Sequence, residues 1–326
     1  MLRALGILIA LALLPVVSLA HVPHDFRPGE ITVMPDGSAW IALERDFSIV
    51  HLGRDGCYER LAVPVLKPQD PWIFPSIRGL AIGDRFFVLL FSNPGSIDAY
   101  GGNPGWWSVL RPASGHYPFQ VLADGYGAWY LERAGLEHLA GDTIDRTIPI
   151  PMTGPYEPRM AQGLKSTIWV TDATTLFEVD TATGRVVAFK PEAGRTVGAP
   201  FVTKDGSVWF RSGNTLGHFG TGGFSFEPSP MPMPDVTTAF DVAPDGVVRF
   251  AHEKRLYRYD RGGIHVMAHD REIDAIAGTA DGSAWIALDY PAAMEYLDRD
   301  GKATIFDLYA LQQASSGDHP PRRCPR

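Results

Sequence analysis

The sequence predicts an all-β fold, a seven-bladed β-propeller of four-stranded antiparallel blades, and three observations predict it. The chain of 326 residues carries 34 Gly, 27 Pro, 17 Phe, 11 Tyr and 8 Trp, a mixture of turn formers and strand-favouring aromatics. One short motif recurs along the chain at intervals near forty residues, the period of a four-stranded blade. Behind most copies lies the same sequel: a short strand, a glycine-bearing turn and another strand.

The first copy, Ile31 to Leu43, holds Asp36-Gly37-Ser38-Ala39-Trp40, and its near-duplicate from Ile276 to Leu288 holds Asp281-Gly282-Ser283-Ala284-Trp285. Between them stand Asp205-Gly206 before Trp209, Asp245-Gly246 before Arg249, and Asp124-Gly125 before Trp129 with one extra residue. Trp169 heads a copy without the Asp-Gly pair, and Phe87 marks the faintest copy, after Gly83-Asp84. Taking Trp40, Phe87, Trp129, Trp169, Trp209, Arg249 and Trp285 as equivalent gives intervals of 47, 42, 40, 40, 40 and 36 residues. Seven copies predict seven blades, and the longest interval predicts an insertion between the first two.

Blade five shows the expected construction. Ala199 to Thr203 is a strand that Asp205-Gly206 turns back, because both residues tolerate the positive φ of a tight hairpin. Ser207 to Arg211, Asn214 to Phe219 and Phe224 to Glu227 are the second, third and fourth strands. Blades pack face to face, so the repeated aromatic is expected as a wedge between neighbours. Arg249 departs from this rule and is expected at the outer edge of its blade face or beside an acidic partner.

Residues 1–20 read as a secretory signal peptide: Arg3 near the start, an apolar run from Leu5 to Val17, and Ser18-Leu19-Ala20 at the cleavage site. The expected organisation is residues 1–20 as signal, 21–310 as one propeller and 311–326 as a Pro- and Arg-containing tail, in a periplasmic or extracellular protein. Cys57 and Cys324 fit an oxidising compartment and match no zinc spacing. They stand either as a latch across the ring's seam or as free thiols beside a frayed tail. A net charge of −8, with no basic block longer than Arg322-Arg323, argues against nucleic-acid binding. No second apolar run is long enough to span a bilayer, so stable membrane insertion is not expected. A monomer is expected.

The blade signature Asp-Gly-Ser-Ala/Val-Trp-Phe/Ile, with its short third strand and Gly-closed fourth, resembles the streptogramin (virginiamycin B) lyase family of seven-bladed propellers, over about residues 27 to 310. The resemblance implies a metal-assisted lyase with bound Mg²⁺, a glutamate three residues after a blade Trp, and a histidine on a neighbouring inner strand. Glu132 is the glutamate at that position, after Trp129, and His116 is the histidine nearest to it in sequence, so the resemblance implies this pair as acid and base. Asp172 and His252 fill the position after Trp169 and Arg249, whereas Leu43, Ser212 and Leu288 fill it elsewhere.

Propeller sites usually lie where the individual loops gather, at the end opposite the terse Asp-Gly hairpins. There the chain supplies Glu132, Asp172 and His252 as candidate ligands for Mg²⁺ or Ca²⁺, oxygen-preferring cations, with His116 beside them. Trp72, Tyr117, Tyr156, Arg159, Asp289 and Tyr290 are the candidate ligand rim. Two further features are His21-Val-Pro-His24-Asp25, a copper-type motif or a disordered terminus, and the Trp106-Trp107 pair, an aromatic patch or an outer strand. The leading expectation is a binding or sensing module for a small polar molecule. The rivals are a metal-dependent lyase or lactone hydrolase, and a protein-interaction platform.

Overall fold

Local chemistry closes the Asp-Gly hairpins as the sequence requires. Gly37, Gly206, Gly246 and Gly282 take φ of 82, 84, 87 and 88°, the left-handed region that glycine enters without steric cost. The aspartate before each accepts the backbone N–H two residues on, at 2.9 to 3.1 Å. Thr203 and Ser207 also donate hydroxyls to Asp205 at 2.7 Å, and this holds its carboxyl down at about 2.

The computed structural model describes residues 28–43, 47–63, 76–84, 86–91, 96–100, 106–110, 118–125, 127–141, 143–228, 239–260, 263–289, 291–315 and 322–324. These form 28 strands in seven four-stranded antiparallel sheets and one helix. Sheet 1 is β1 (Pro28–Val33), β2 (Ala39–Leu43), β3 (Ser48–Leu52) and β4 (Tyr58–Ala62). Sheet 2 is β5 (Ser76–Ile82), β6 (Phe86–Phe91), β7 (Ser96–Tyr100) and β8 (Trp106–Leu110). Sheet 3 is β9 (Gln120–Asp124), β10 (Gly127–Glu132), β11 (Gly135–Ala140) and β12 (Thr143–Pro149). Sheet 4 is β13 (Arg159–Gln162), β14 (Thr167–Thr171), β15 (Leu176–Asp180) and β16 (Arg185–Phe189). Sheet 5 is β17 (Phe201–Val202), β18 (Val208–Ser212), β19 (Thr215–Gly220) and β20 (Gly223–Pro228), within two residues of the expected limits except at the shortened first strand. Sheet 6 is β21 (Ala239–Val242), β22 (Val248–His252), β23 (Arg255–Asp260) and β24 (Gly263–Ala268). Sheet 7 is β25 (Ile273–Gly278), β26 (Ala284–Leu288), β27 (Ala293–Leu297) and β28 (Ala303–Asp307), and α1 (Leu308–Ser315) follows it.

In every sheet the strands pair in chain order. The first strands touch in sequence: β1 meets β5, then β9, β13, β17, β21 and β25 follow, and β25 meets β1 again. That closed circuit is a β-propeller with four-stranded blades, its first strands lining the central channel.

The wedge positions are buried as expected: Trp40, Phe87, Trp129, Trp169 and Trp285 lie in the core, while Trp209 is half-buried. Arg249 is only 1% exposed, so it does not reach an outer edge; it lies buried in the register position opposite an aspartate. Asp241 stands directly opposite it on β21, and Arg249 donates to Gly282 O at 2.6 Å. Gly278 makes room for the pair, since a Cβ there would come within 2.7 Å of both side chains. Burial pushes the Asp241 carboxyl up to about 6 despite the guanidinium beside it.

The seam between sheets 7 and 1 is closed twice. Across it Arg54 sits 2.9 Å from Asp281 and lies over the Tyr296 ring, and Trp285 donates to Gly37 O at 3.0 Å. Beyond α1 the tail returns to sheet 1, where Cys57 and Cys324 form a disulfide. Tyr58 N–H donates to Arg322 O at 2.9 Å, and Arg322 pairs with Asp55. Of the two alternatives open in the sequence, the structure takes the latch. Among the described residues no helix is long and apolar enough to cross a membrane. The signal segment and the His21–Asp25 motif lie outside the described residues. Trp106 and Trp107 belong to β8, the fourth strand of sheet 2.

Candidate functional site

Three neighbouring inner strands share an irregularity that the other four lack. The register of β25 against β26 slips between Ile273 and Ala275, that of β5 against β6 between Ile77 and Gly79, and that of β1 against β2 between Pro28 and Ile31. Each slip is a one-residue β-bulge at the end of the channel where the inner strands begin. The extra residue is Asp274 on β25, Arg78 on β5 and, with Gly29, Glu30 on β1. A bulge re-aims a side chain and occurs often beside functional sites. Here it falls three times in succession on the one charged residue of its strand.

Glu30 is half-buried and accepts the Leu80 N–H from β5 at 3.1 Å. Thr32 donates to Leu80 O at 3.2 Å, so β1 and β5 are pinned together beneath the carboxyl. Burial pushes Glu30 up to about 7, although the Leu80 N–H and the Arg159 guanidinium both favour its ionised form. Arg159 begins β13, in sheet 4. Among the inner strands, β1 packs on β5 and β25, and β13 on β9 and β17. Glu30 and Arg159 both stand near the starts of innermost strands, at the same end of the channel.

The connector entering β13 is fixed from two sides. Asp172 accepts Thr153 N–H and Gly154 N–H at 2.8 Å on one oxygen. Its other oxygen takes Thr174 N–H, Thr174 hydroxyl and Thr175 N–H at 2.7 to 3.0 Å. Five donors exceed the four or so lone-pair sites of a carboxylate, and they hold Asp172 below its usual range against burial. Asp172, a candidate metal ligand in the sequence, staples this connector. Arg133 grips the other side, donating to Gly154 O at 2.9 Å and Tyr156 O at 3.4 Å. Only glycine fits at 154, because a Cβ would lie 1.7 Å from Asp172 O. The clamp presents Tyr156, 65% exposed, and Arg159 at the mouth. Next to them Gln120 accepts Met160 N–H at 2.8 Å, tying β9 to β13.

The remaining sequence candidates are spread round the ring. Glu132 ends β10 and is buried, where its charge helps to hold the Tyr130 hydroxyl above its usual range, after burial and the bond to Glu137. His252 ends β22 half-buried, and Asp289 follows β26 with its N–H on Glu272 O at 2.8 Å. They stand on different sheets from Asp172. Among the described residues no three His, Cys, Asp or Glu side chains gather where they could hold a cation. His116, Trp72, Tyr117 and Tyr290 lie outside the described residues.

No protein-family model matches the chain, and no curated protein matches it. Solved structures do. A catalytically inactive virginiamycin B lyase from Staphylococcus aureus with quinupristin is 20% identical, covering 83% of this chain and 94% of that one, with a TM-score of 0.65. YCF48 bound to D1 peptide is 12% identical, covering 85% and 93%, at 0.62. The WD40 propeller of Doa1 is 10% identical, covering 87% and 94%, at 0.58. Likeness at these identities establishes the propeller fold.

Proposed function

We propose that this chain is an exported seven-bladed propeller that binds a small polar molecule at the channel mouth. The observation that carries the reading is the clamp of Arg133 and Asp172 on the connector into β13, which presents exposed Tyr156 and Arg159 at the same end of the channel as the bulges of β25, β1 and β5. Polar groups placed around a concave opening suit orientation of a ligand. The Cys57–Cys324 bridge supports export to an oxidising compartment. Thermal-shift screening against polar small molecules, MgCl₂ and CaCl₂ tests the reading, because a true ligand raises the melting temperature by mass action. We expect a hit whose shift is lost in Arg159→Ala. A shift retained in both Arg159→Ala and Glu30→Gln would place the ligand elsewhere and refute the reading.

A metal-assisted lyase is the second reading, supported by the blade signature and the likeness to virginiamycin B lyase. Glu132 and His116 would serve as its acid and base. Conversion of quinupristin in the presence of Mg²⁺, followed chromatographically and absent in Glu132→Gln, is the expected result; unchanged quinupristin would refute it.

A further inference from the structure

At the Asp-Gly hairpin end of the ring, side chains of the protein itself fill the joints around three of the hairpin glycines. A Cβ built on Gly206 would come within 2.9 Å of Leu164, which reaches over from sheet 4, and one on Gly37 would collide with the Arg54 guanidinium. One on Gly282 would meet Asp245 at 3.5 Å and Arg299 at 3.8 Å, and the Gly282 carbonyl takes the Arg249 guanidinium. Gly246 is different: no described atom lies within 4 Å of its Cβ position. The space is a cleft of about 640 Å³ between sheets 5 and 6, lined by Trp209, His218, Asp205, Asp245, Gly246 and Asp260. Ligand pockets commonly enclose about 300–1,000 Å³. Lys204 N–H donates to Pro244 O at 3.0 Å and ties together the two hairpins that flank the cleft. Trp209, the one half-buried tryptophan among the blade wedges, forms its wall with His218, 4.6 Å between ring centroids.

The joint of sheets 7 and 1 shows what such a space holds. Asp281 there gives Oδ1 to the Thr279 hydroxyl and to the N–H and hydroxyl of Ser283. Its Oδ2 holds the Arg54 guanidinium at 2.9 Å. Arg54 also donates to Gly37 O at 3.2 Å and lies 5.1 Å over the ring of Tyr296, the residue opposite wedge Trp285 in register. The same parts recur between sheets 5 and 6. Asp205 gives Oδ1 to the Thr203 hydroxyl and to the N–H and hydroxyl of Ser207, and none of these bonds uses Oδ2. Gly246 occupies the hairpin position of Gly37, and His218 stands opposite Trp209 as Tyr296 does opposite Trp285. Three carboxylates line the cleft against one ammonium, that of Lys204, which already donates to Ala280 O at 3.3 Å. Asp260 is paired with Arg258 at 3.1 Å, so Asp205 and Asp245 are the carboxylates that face an incoming charge. An acidic cleft with an indole in its wall suits a cation.

We propose that the cleft between sheets 5 and 6 binds a guanidinium supplied from outside the chain, paired with Asp205, donating to Gly246 O and lying against Trp209 and His218. The site belongs to the hairpin end of the ring and stands apart from the ligand proposed at the channel mouth. A free guanidino compound and an arginine side chain of another polypeptide share this chemistry.

N-acetyl-arginine amide and N-acetyl-citrulline amide serve as probes, being alike in shape while only the first is charged. Calorimetric titration of the full chain is expected to show the arginine compound binding at least about tenfold tighter. Asp205→Asn keeps the oxygen that closes the hairpin and should weaken the arginine compound about tenfold. Asp245→Asn should weaken it about threefold. Asp281→Asn, the same change at the joint that Arg54 fills, should leave binding unchanged, and melting temperatures report that each variant folds. Equal binding of the two probes, no binding of either, a loss in Asp281→Asn as large as in Asp205→Asn, or unchanged binding in both Asp205→Asn and Asp245→Asn overturns the inference. The blocked tripeptide acetyl-Gly-Arg-Gly-amide separates the two sources. Tighter binding than the single residue assigns the site to a side chain of a partner polypeptide, and weaker binding assigns it to a free guanidino compound; either result upholds the guanidinium.

Discussion

Removing the Cys57–Cys324 bridge tests how the propeller holds its ring together. The bonded residues are separated by 267 positions, so the bridge constrains nearly the whole unfolded chain. The chain-entropy relation for such a loop gives about 5–6 kcal/mol, an upper figure because unfolded chains keep residual structure. At about 2.1 cal/mol/K of unfolding entropy per residue, a fold of this size would lose roughly 9 °C in melting temperature. Cys57→Ser with Cys324→Ser is therefore expected to melt 5–9 °C below wild type, by calorimetry at one scan rate. Arg322→Ala breaks only the exposed pair with Asp55 and should cost less than about 1 kcal/mol. Were the double variant to melt within 2 °C of wild type, the tail would fray independently of the ring and the reasoning would fail.

Two other positions give sharp outcomes. Asp241→Ala removes the acceptor of the Gly278 N–H and the carboxyl opposite Arg249 and should destabilise by about 1–3 kcal/mol, whereas Asp241→Ala with Arg249→Trp restores the blade aromatic and should recover most of that loss, read by urea denaturation. The folded state keeps a proton on Asp241 that the unfolded chain releases near 3.8, so this group's contribution falls as pH rises from about 4 to 6, and Asp241→Asn should lack that slope. Asp172→Ala leaves the Thr153 and Gly154 N–H groups without their acceptor and should cost about 2–4 kcal/mol while also weakening any ligand that depends on Arg159, measured by melting and titration.

The repeat was readable because an interblade wedge must be large and apolar, so Trp recurs at the blade period whatever else varies. Arg249 was readable as an anomaly for the same reason, but its partner needed the register that sets Asp241 opposite it. The helix α1 was missed. Its signal was Asp307, whose carboxylate accepts Ala310 N–H at 2.8 Å, ahead of a run of helix formers. The hydrogen bonds of Asp172 were not legible, because a place three residues after a Trp fixes where a carboxylate starts, not which N–H groups reach it. Glu30 was not legible as a residue of the channel mouth because it stands inside an inner strand and not in one of the individual loops. A one-residue bulge leaves no trace in a forty-residue period, although a charge inside Gly29-Glu30-Ile31, Ile77-Arg78-Gly79 and Ile273-Asp274-Ala275 was there to be noticed.

The latch between Cys57 and Cys324 sets an order of assembly. The two residues are 267 positions apart, so the bridge can form only after nearly the whole chain has been made. One apolar core is shared between the first and last sheets, Ile41, Val50 and Leu52 meeting Trp285, Ala287 and Met294. Sheet 1 therefore carries an uncovered apolar face until sheet 7 arrives, and ring closure is the last step of folding rather than its nucleus.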